Sequence, residues 1–205
     1  MMSPNKSSFS EDLRLDILKE IGNIGAAHAA TALSTLLNKR IDLKIPSAQV
    51  VPISEVNGPN RDNNVAATYT YIDCDIHGHF FMLFKEEHAE MLVSNMIPNT
   101  TIYDGGLGES AFCEIGNILC GSYISALSQF LNITIHQSPP ILSIDIAAAI
   151  LGEGLIELSM ETDSVIVIET VLVDKTNHHQ MNGEFVFLPT PDSMDLIFKL
   201  ALGGE

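Results

Sequence analysis

Apolar residues recur every three or four positions through the start of the chain. Leu18, Ile21, Ile24 and Leu33 fall on one helical face, and Ser10 ahead of Glu11 and Asp12 supplies a cap with acidic first-turn residues. The spacing predicts a long helix over about residues 10–38. The period then shortens to two, which predicts antiparallel strands at Arg40–Ile45, Gln49–Ser54, Val65–Ile72 and Ile76–Phe84, with the turn-rich NGPNRDNN stretch between the middle pair. Lys85–Ile97 reads as an amphipathic helix stopped by Pro98. After the turn-prone YDGG at Tyr103–Gly106, a second long helix runs from near Gly108 to about Leu131. Asn132–Gln137 predicts a strand and Ile141–Ile150 a helix, although that apolar run is equally compatible with β structure. Val165–Asp174 and Glu184–Leu188 are strand-like, and Pro191–Ala201 forms a closing helix with proline in its first turn.

The stretch KEIGNIG at Lys19–Gly25 returns as CEIGNIL at Cys113–Leu119, 94 positions later. At the same offset identities continue through Ala32/Ala126, Leu33/Leu127, Ser34/Ser128, Leu37/Leu131, Asn38/Asn132, Ile41/Ile135 and Pro46/Pro140. A fixed offset held over so many residues marks an ancestral duplication. The expectation is an α+β fold with two long helices and a mainly antiparallel β-sheet. It is a single domain over residues 1–205, made of two pseudosymmetric halves at about 10–100 and 108–205.

Composition narrows the function classes. With 46% hydrophobic residues the chain is too apolar to be disordered, and no apolar run is long enough to span a membrane. A formal charge of −16 repels a phosphodiester backbone, so nucleic-acid binding is disfavoured. The polar start MMSPNKSSFSEDL lacks the apolar stretch of a signal peptide, which makes the cytoplasm the expected compartment. Three cysteines, Cys74, Cys113 and Cys120, without a CxxC spacing suit reduced thiols, and Cys113 and Cys120 read as small buried side chains.

The duplicated helices carry the candidate chemistry. Asp16, Glu20 and Asn23 stand at i, i+4 and i+7, within about 60° of one another at roughly 100° per residue. Ser110, Glu114 and Asn117 repeat the spacing. An acid and an amide one turn apart are common on any exposed helix, so one copy alone would mean little. A merely solvated face has no reason to keep both in two halves that otherwise diverge.

This (Asp/Ser)-x3-Glu-x2-Asn pattern on two long helices resembles the signature of the CheC/CheX/FliY chemotaxis phosphatases, with EIGNIGA, AATALS, the GNILCGSYISAL region and the prolines at Pro139 extending the similarity to CheC-type members. CheX-like proteins would carry one such site, and FliY-like members a C-terminal extension, so a CheC-type member is the expectation. The resemblance implies hydrolysis of the aspartyl phosphate of a CheY-like response regulator, with Mg2+ on the regulator and no cofactor or metal on this chain. Asn23 and Asn117 would orient the attacking water, and Glu20 and Glu114 would grip a lysine of the regulator. Glu as general base is the competing assignment. Asp16 and Ser110 would help position the partner. Gly22 and Gly116, beside the stripe, would admit it closely or pack the helices together. The resemblance also implies binding to the deamidase CheD, and with it an alternative role as a non-catalytic adaptor that binds phosphorylated regulator and CheD. Ala27 and His28 stand where such sequences commonly read Gly-Asn, which sets the two sites apart. His77 with His79, and His178 with His179, lack a completing ligand and are assigned to strand surface and loop. Gly105, Gly106 and Gly108 lack the lysine of a phosphate loop.

Overall fold

Alternating residues build an antiparallel sheet through the middle of the molecule. The computed structural model describes residues 6–52, 55, 63–158 and 164–203. Along the chain these form α1 (Lys6–Leu36), β1 (Ile41–Lys44), β2 (Ala48–Pro52), β3 (Asn64–Cys74), β4 (Gly78–Lys85), α2 (Glu86–Met96), α3 (Leu107–Leu131), β5 (Ile135–Gln137), β6 (Ile141–Ile146), α4 (Ala147–Leu158), β7 (Ser164–Asp174), β8 (His179–Pro189) and α5 (Pro191–Ala201). The predicted NGPNRDNN turn lies largely outside the described residues, as do the last two positions of the strand predicted at Gln49–Ser54.

The sheet order interleaves the two halves. β1 and β2 pair with β7, which is followed by β8, β4 and β3, and β3 in turn carries β5 and β6. Every one of these pairs is antiparallel. Each half thus sends its first two strands to the other half, and β4 joins β8 at the centre from Gly78↔Pro189 to Phe84↔Gly183.

One face of the sheet holds the larger core. Leu33 of α1, Phe112, Ile115 and Leu119 of α3, Leu92 of α2 and Ile197 of α5 meet Phe80, Met82, Phe84 and Phe185 of the strands. Tyr123 of α3 reaches into this layer, its ring 4.7 Å from that of Phe185 and 6.5 Å from that of Phe80. On the other face Ala147, Ile150 and Leu151 of α4 pack with Val65, Ala67, Phe81, Leu83, Val186 and Leu188.

Glycines set how closely the long helices approach. A β-carbon at Gly116 would lie 2.5 Å from Thr68 Oγ1 and 2.8 Å from its Cγ2, and one at Gly22 would lie 2.8 Å from Ile45 Cδ1. At Gly25 it would lie 3.0 Å from Tyr123 Cα, where α1 meets α3. The duplicated Asn38 and Asn132 are also explained by backbone geometry. Both adopt left-handed conformations, φ 48° and 54°, just past the ends of the two helices. Asparagine tolerates that region better than most residues, so the same stop persists twice.

Four sequence expectations change. The first helix begins at Lys6, so Ser10, Glu11 and Asp12 lie within it and Ser10 is not its cap. The predicted helix at Ile141–Ile150 is divided: residues 141–146 form β6, registered on β3 from Tyr69↔Ile141 to Asn64↔Ile146, and the helix starts at Ala147. β3 would otherwise expose an unpaired edge, whereas the following run of alanines has the highest helix propensity. β8 extends from His179 to Pro189 rather than over Glu184–Leu188, because β7 pairs with it from His179 to Phe187 and β4 from Gly183 to Pro189, along polar as well as apolar residues. The strand predicted from Ile76 begins at Gly78, after a turn.

Where α1 ends, Lys39 Nζ donates to Asp174 Oδ2 at 3.1 Å and to Asn95 Oδ1 at 2.6 Å. Asp174 is fully buried at the end of β7, so this contact ties the exit of the first helix to a strand of the other half. Burial pushes the Asp174 carboxyl up, but the Thr176 N–H and Lys39 outweigh it and hold it below its ordinary value of 3.8.

A carboxyl depressed in the folded state contributes stability above its unfolded pKa, and that contribution is lost as pH falls through the folded value. Urea denaturation should therefore show the wild type losing stability as pH drops below about 4, with Asp174→Asn less stable at neutral pH and flatter across the acid limb. At Gly116, substitution by alanine gains roughly 0.5–1 kcal/mol of helix propensity, against an overpacking cost of about 1–3 kcal/mol at the buried Thr68. Gly116→Ala should then lower unfolding stability on balance, whereas a glycine kept only to admit a partner would leave stability level or raised.

Candidate functional site

Burial of one face of each long helix decides what the opposite face presents. In α1, Leu18, Ile21, Gly22, Gly25, Ala26 and Ala29 turn inward, and Asp16, Glu20 and Asn23 are all exposed. In α3, Ile115, Gly116, Leu119 and Cys120 are buried, Ser110 and Glu114 are exposed, and Asn117 is half-buried. Both predicted acids and Asn23 thus lie on the outer surface of their helices, and Asn117 stands at the margin of the buried face. Among the described residues neither Glu20 nor Glu114 has an ion-pair or hydrogen-bond partner, and Asn23 has none. An exposed carboxylate held by nothing inside the molecule is free to take a cation from outside it.

The glycines expected beside this stripe do not share its exposure. Gly22 and Gly116 are both buried, facing Ile45 and Thr68, so they serve close packing and lie beneath the surface a partner would meet. They lie too close to the inward arc of each helix to be reached from outside.

The second stripe is set in a cleft of about 450 Å3, lined by Ser110, Cys113, Glu114, Asn117 and the segment Gln137–Pro140. Gln137 Nε2 donates to Asn117 Oδ1 at 2.8 Å. Sequence reading missed Gln137 and Ser138, since neither belongs to the repeated pattern. The one available signal was divergence, because Gln137 stands at the duplication offset from the apolar Leu43.

Two smaller expectations are corrected. Cys113 is half-buried at this cleft rather than enclosed, its thiol pushed up by burial and then by the neighbouring Glu109. Cys120 is enclosed, and burial pushes its thiol up to about 12 against a hydrogen bond to Thr70. His79 is buried, not on a strand surface, and its Nδ1 lies 2.8 Å from Tyr69 Oη. No cluster of three metal-ligating side chains occurs among the described residues, and none of the described helices is long and apolar enough to cross a membrane.

Comparison with known proteins places the resemblance on the same residues. The model of the CheC-like family matches residues 13–48 and 107–144, the segments that carry the two stripes. The chain is 34% identical over 199 residues to the CheY-P phosphatase CheC of Bacillus subtilis, covering 94% of this chain and 95% of that protein. It is 33% identical over 141 residues to the flagellar motor switch phosphatase FliY of the same organism, covering 67% of this chain and 37% of that longer protein. In three dimensions it is similar to the crystal structure of Thermotoga maritima FliY, with a TM-score of 0.77, 19% identity and full coverage of both chains. The chemotaxis protein CheX of Desulfovibrio desulfuricans shares the fold less fully, with a TM-score of 0.51, 18% identity and coverage of 82% of this chain and 99% of that one.

Proposed function

The chain belongs to the CheC-like family, and from that premise we propose that it hydrolyses the aspartyl phosphate of a CheY-like response regulator in the cytoplasm. The observation that carries this reading is the pair of outward stripes, each with an unpartnered glutamate one turn from an asparagine. Support also comes from the relative of near-equal length whose name is CheY-P phosphatase.

An aspartyl phosphate is an acyl phosphate, and the Mg2+ held by the regulator neutralises its phosphoryl oxygens. Little covalent catalysis is then required of this protein. Water oxygen bonds to phosphorus as the bond to the aspartyl oxygen breaks, the aspartate leaves as carboxylate, and the water's protons pass to phosphate and solvent. What a catalyst adds is a water held in line, and Asn23 and Asn117 suit that task. A neutral carboxamide accepts from and donates to water without repelling the anion. A carboxylate at the same place would repel the phosphoryl group. Glu20 and Glu114, one turn away and unpaired, instead grip a lysine of the regulator through a charge-assisted hydrogen bond. Asp16 and Ser110 lie one turn further and orient the docked regulator.

Phosphate release from phosphorylated regulator tests the assignment. Asn23→Ala combined with Asn117→Ala should abolish the acceleration while regulator binding persists. Glu20→Gln with Glu114→Gln removes interactions of about 1.5–3 kcal/mol each, so KM should rise roughly 10- to 100-fold with a smaller change in kcat. If the wild-type protein leaves regulator-phosphate decay unchanged both alone and with CheD added, the chain is instead an adaptor for phosphorylated regulator and CheD.

A further inference from the structure

We infer that Gln137 is a positioning residue for Asn117, holding the carboxamide of the second site in the pose from which it aims water. The inference rests on the proposed phosphatase reading and adds to it a residue outside the repeated motif. Three observations converge on it.

The first is the contact itself. Gln137 Nε2 donates to Asn117 Oδ1 at 2.8 Å, which occupies one lone pair of that oxygen and leaves the other, with the Asn117 amino group, for water. An asparagine side chain otherwise turns freely about its last bond, so a fixed donor at its oxygen selects one orientation before any partner arrives. Gln137 is itself anchored, because β5 ends on it and pairs it with Ile72 of β3.

The second is where the glutamine packs. A β-carbon at Gly121 would lie 3.5 Å from Gln137 Nε2 and 3.6 Å from Oε1, ordinary contact distances, so the amide packs beside α3 at this position. At the duplication offset the first half has Ala27 in place of Gly121 and Leu43 in place of Gln137. Leu43 is buried in the core, and Asn23 is exposed without an intramolecular partner. Amide and glycine occur together in one half, and leucine and alanine together in the other.

The third is that the glutamine serves its own stability poorly. Gln137 Oε1 is buried and has no hydrogen-bond partner among the described residues. Leaving a buried acceptor unpaired is unfavourable, and a leucine of similar size, as at position 43, would avoid it. A residue there for packing alone would be the apolar one.

The experiment uses the full chain and phosphorylated regulator, in an Asn23→Ala background so that only the second site reports. Gln137→Leu should lower kcat about tenfold with KM changed by less than about twofold, while the unfolding temperature stays level or rises. Gln137→Glu, which keeps the shape but offers no donor, should lower kcat as well. In the reciprocal Asn117→Ala background, where only the first site reports, Gln137→Leu should change kcat by less than about twofold. Unchanged kcat for Gln137→Leu in the first background overturns the proposal, as does an equal loss in both backgrounds or a rise in KM alone. If Asn23→Ala with Asn117→Ala keeps full activity, the phosphatase site reading fails and the role of Gln137 falls with it. If that pair is inactive but Gln137→Leu is not impaired, only the positioning role fails.

Discussion

The packing of α1 and α3 by their apolar faces onto one sheet is the constraint from which the rest follows. At about 100° per residue, turning Ile21, Gly22 and Gly25 toward the core forces Glu20 and Asn23 outward, and Ile115, Gly116 and Leu119 do the same for Glu114. Asn117 keeps one foot in the molecule only because β5 runs close beside it. The site residues thus need no special loop to present them. They sit on rigid helices whose rotation is fixed by buried contacts, and the close approaches at Gly25 and Gly116 limit how far either helix can slide or roll.

Exchange of strands between the halves gives the two stripes a common frame. β7 of the second half holds β1 and β2 of the first, and β3 of the first holds β5 and β6 of the second. The Lys39–Asp174 contact follows the same plan, joining the end of α1 to the end of β7.

In the proposed reading, electrostatics and shape would divide the work of recognition. The chain's charge of −16 and the unpaired carboxylates of both stripes favour a basic docking face on the partner, an attraction that salt weakens. The amides, being neutral, would contribute geometry rather than charge. The surroundings of the two are unlike, with Asn23 on an open helix surface and Asn117 in a cleft walled by Gln137–Pro140.

The outward stripes, the two long helices and the antiparallel character of the strands were legible in the sequence, because hydrophobic period alone determines which side of an element is buried. Asn38 and Asn132 likewise could be matched by offset before their left-handed geometry was known. Period says nothing about what an element is buried against. That the first strands cross to the opposite half, that residues 141–150 divide between strand and helix at an open sheet edge, that Gly22 and Gly116 meet core side chains rather than a partner, and that Gln137 reaches Asn117 twenty residues away were settled only by tertiary contacts. Those contacts join residues distant along the chain, and their energies depend on shape and edge pairing that no local pattern records.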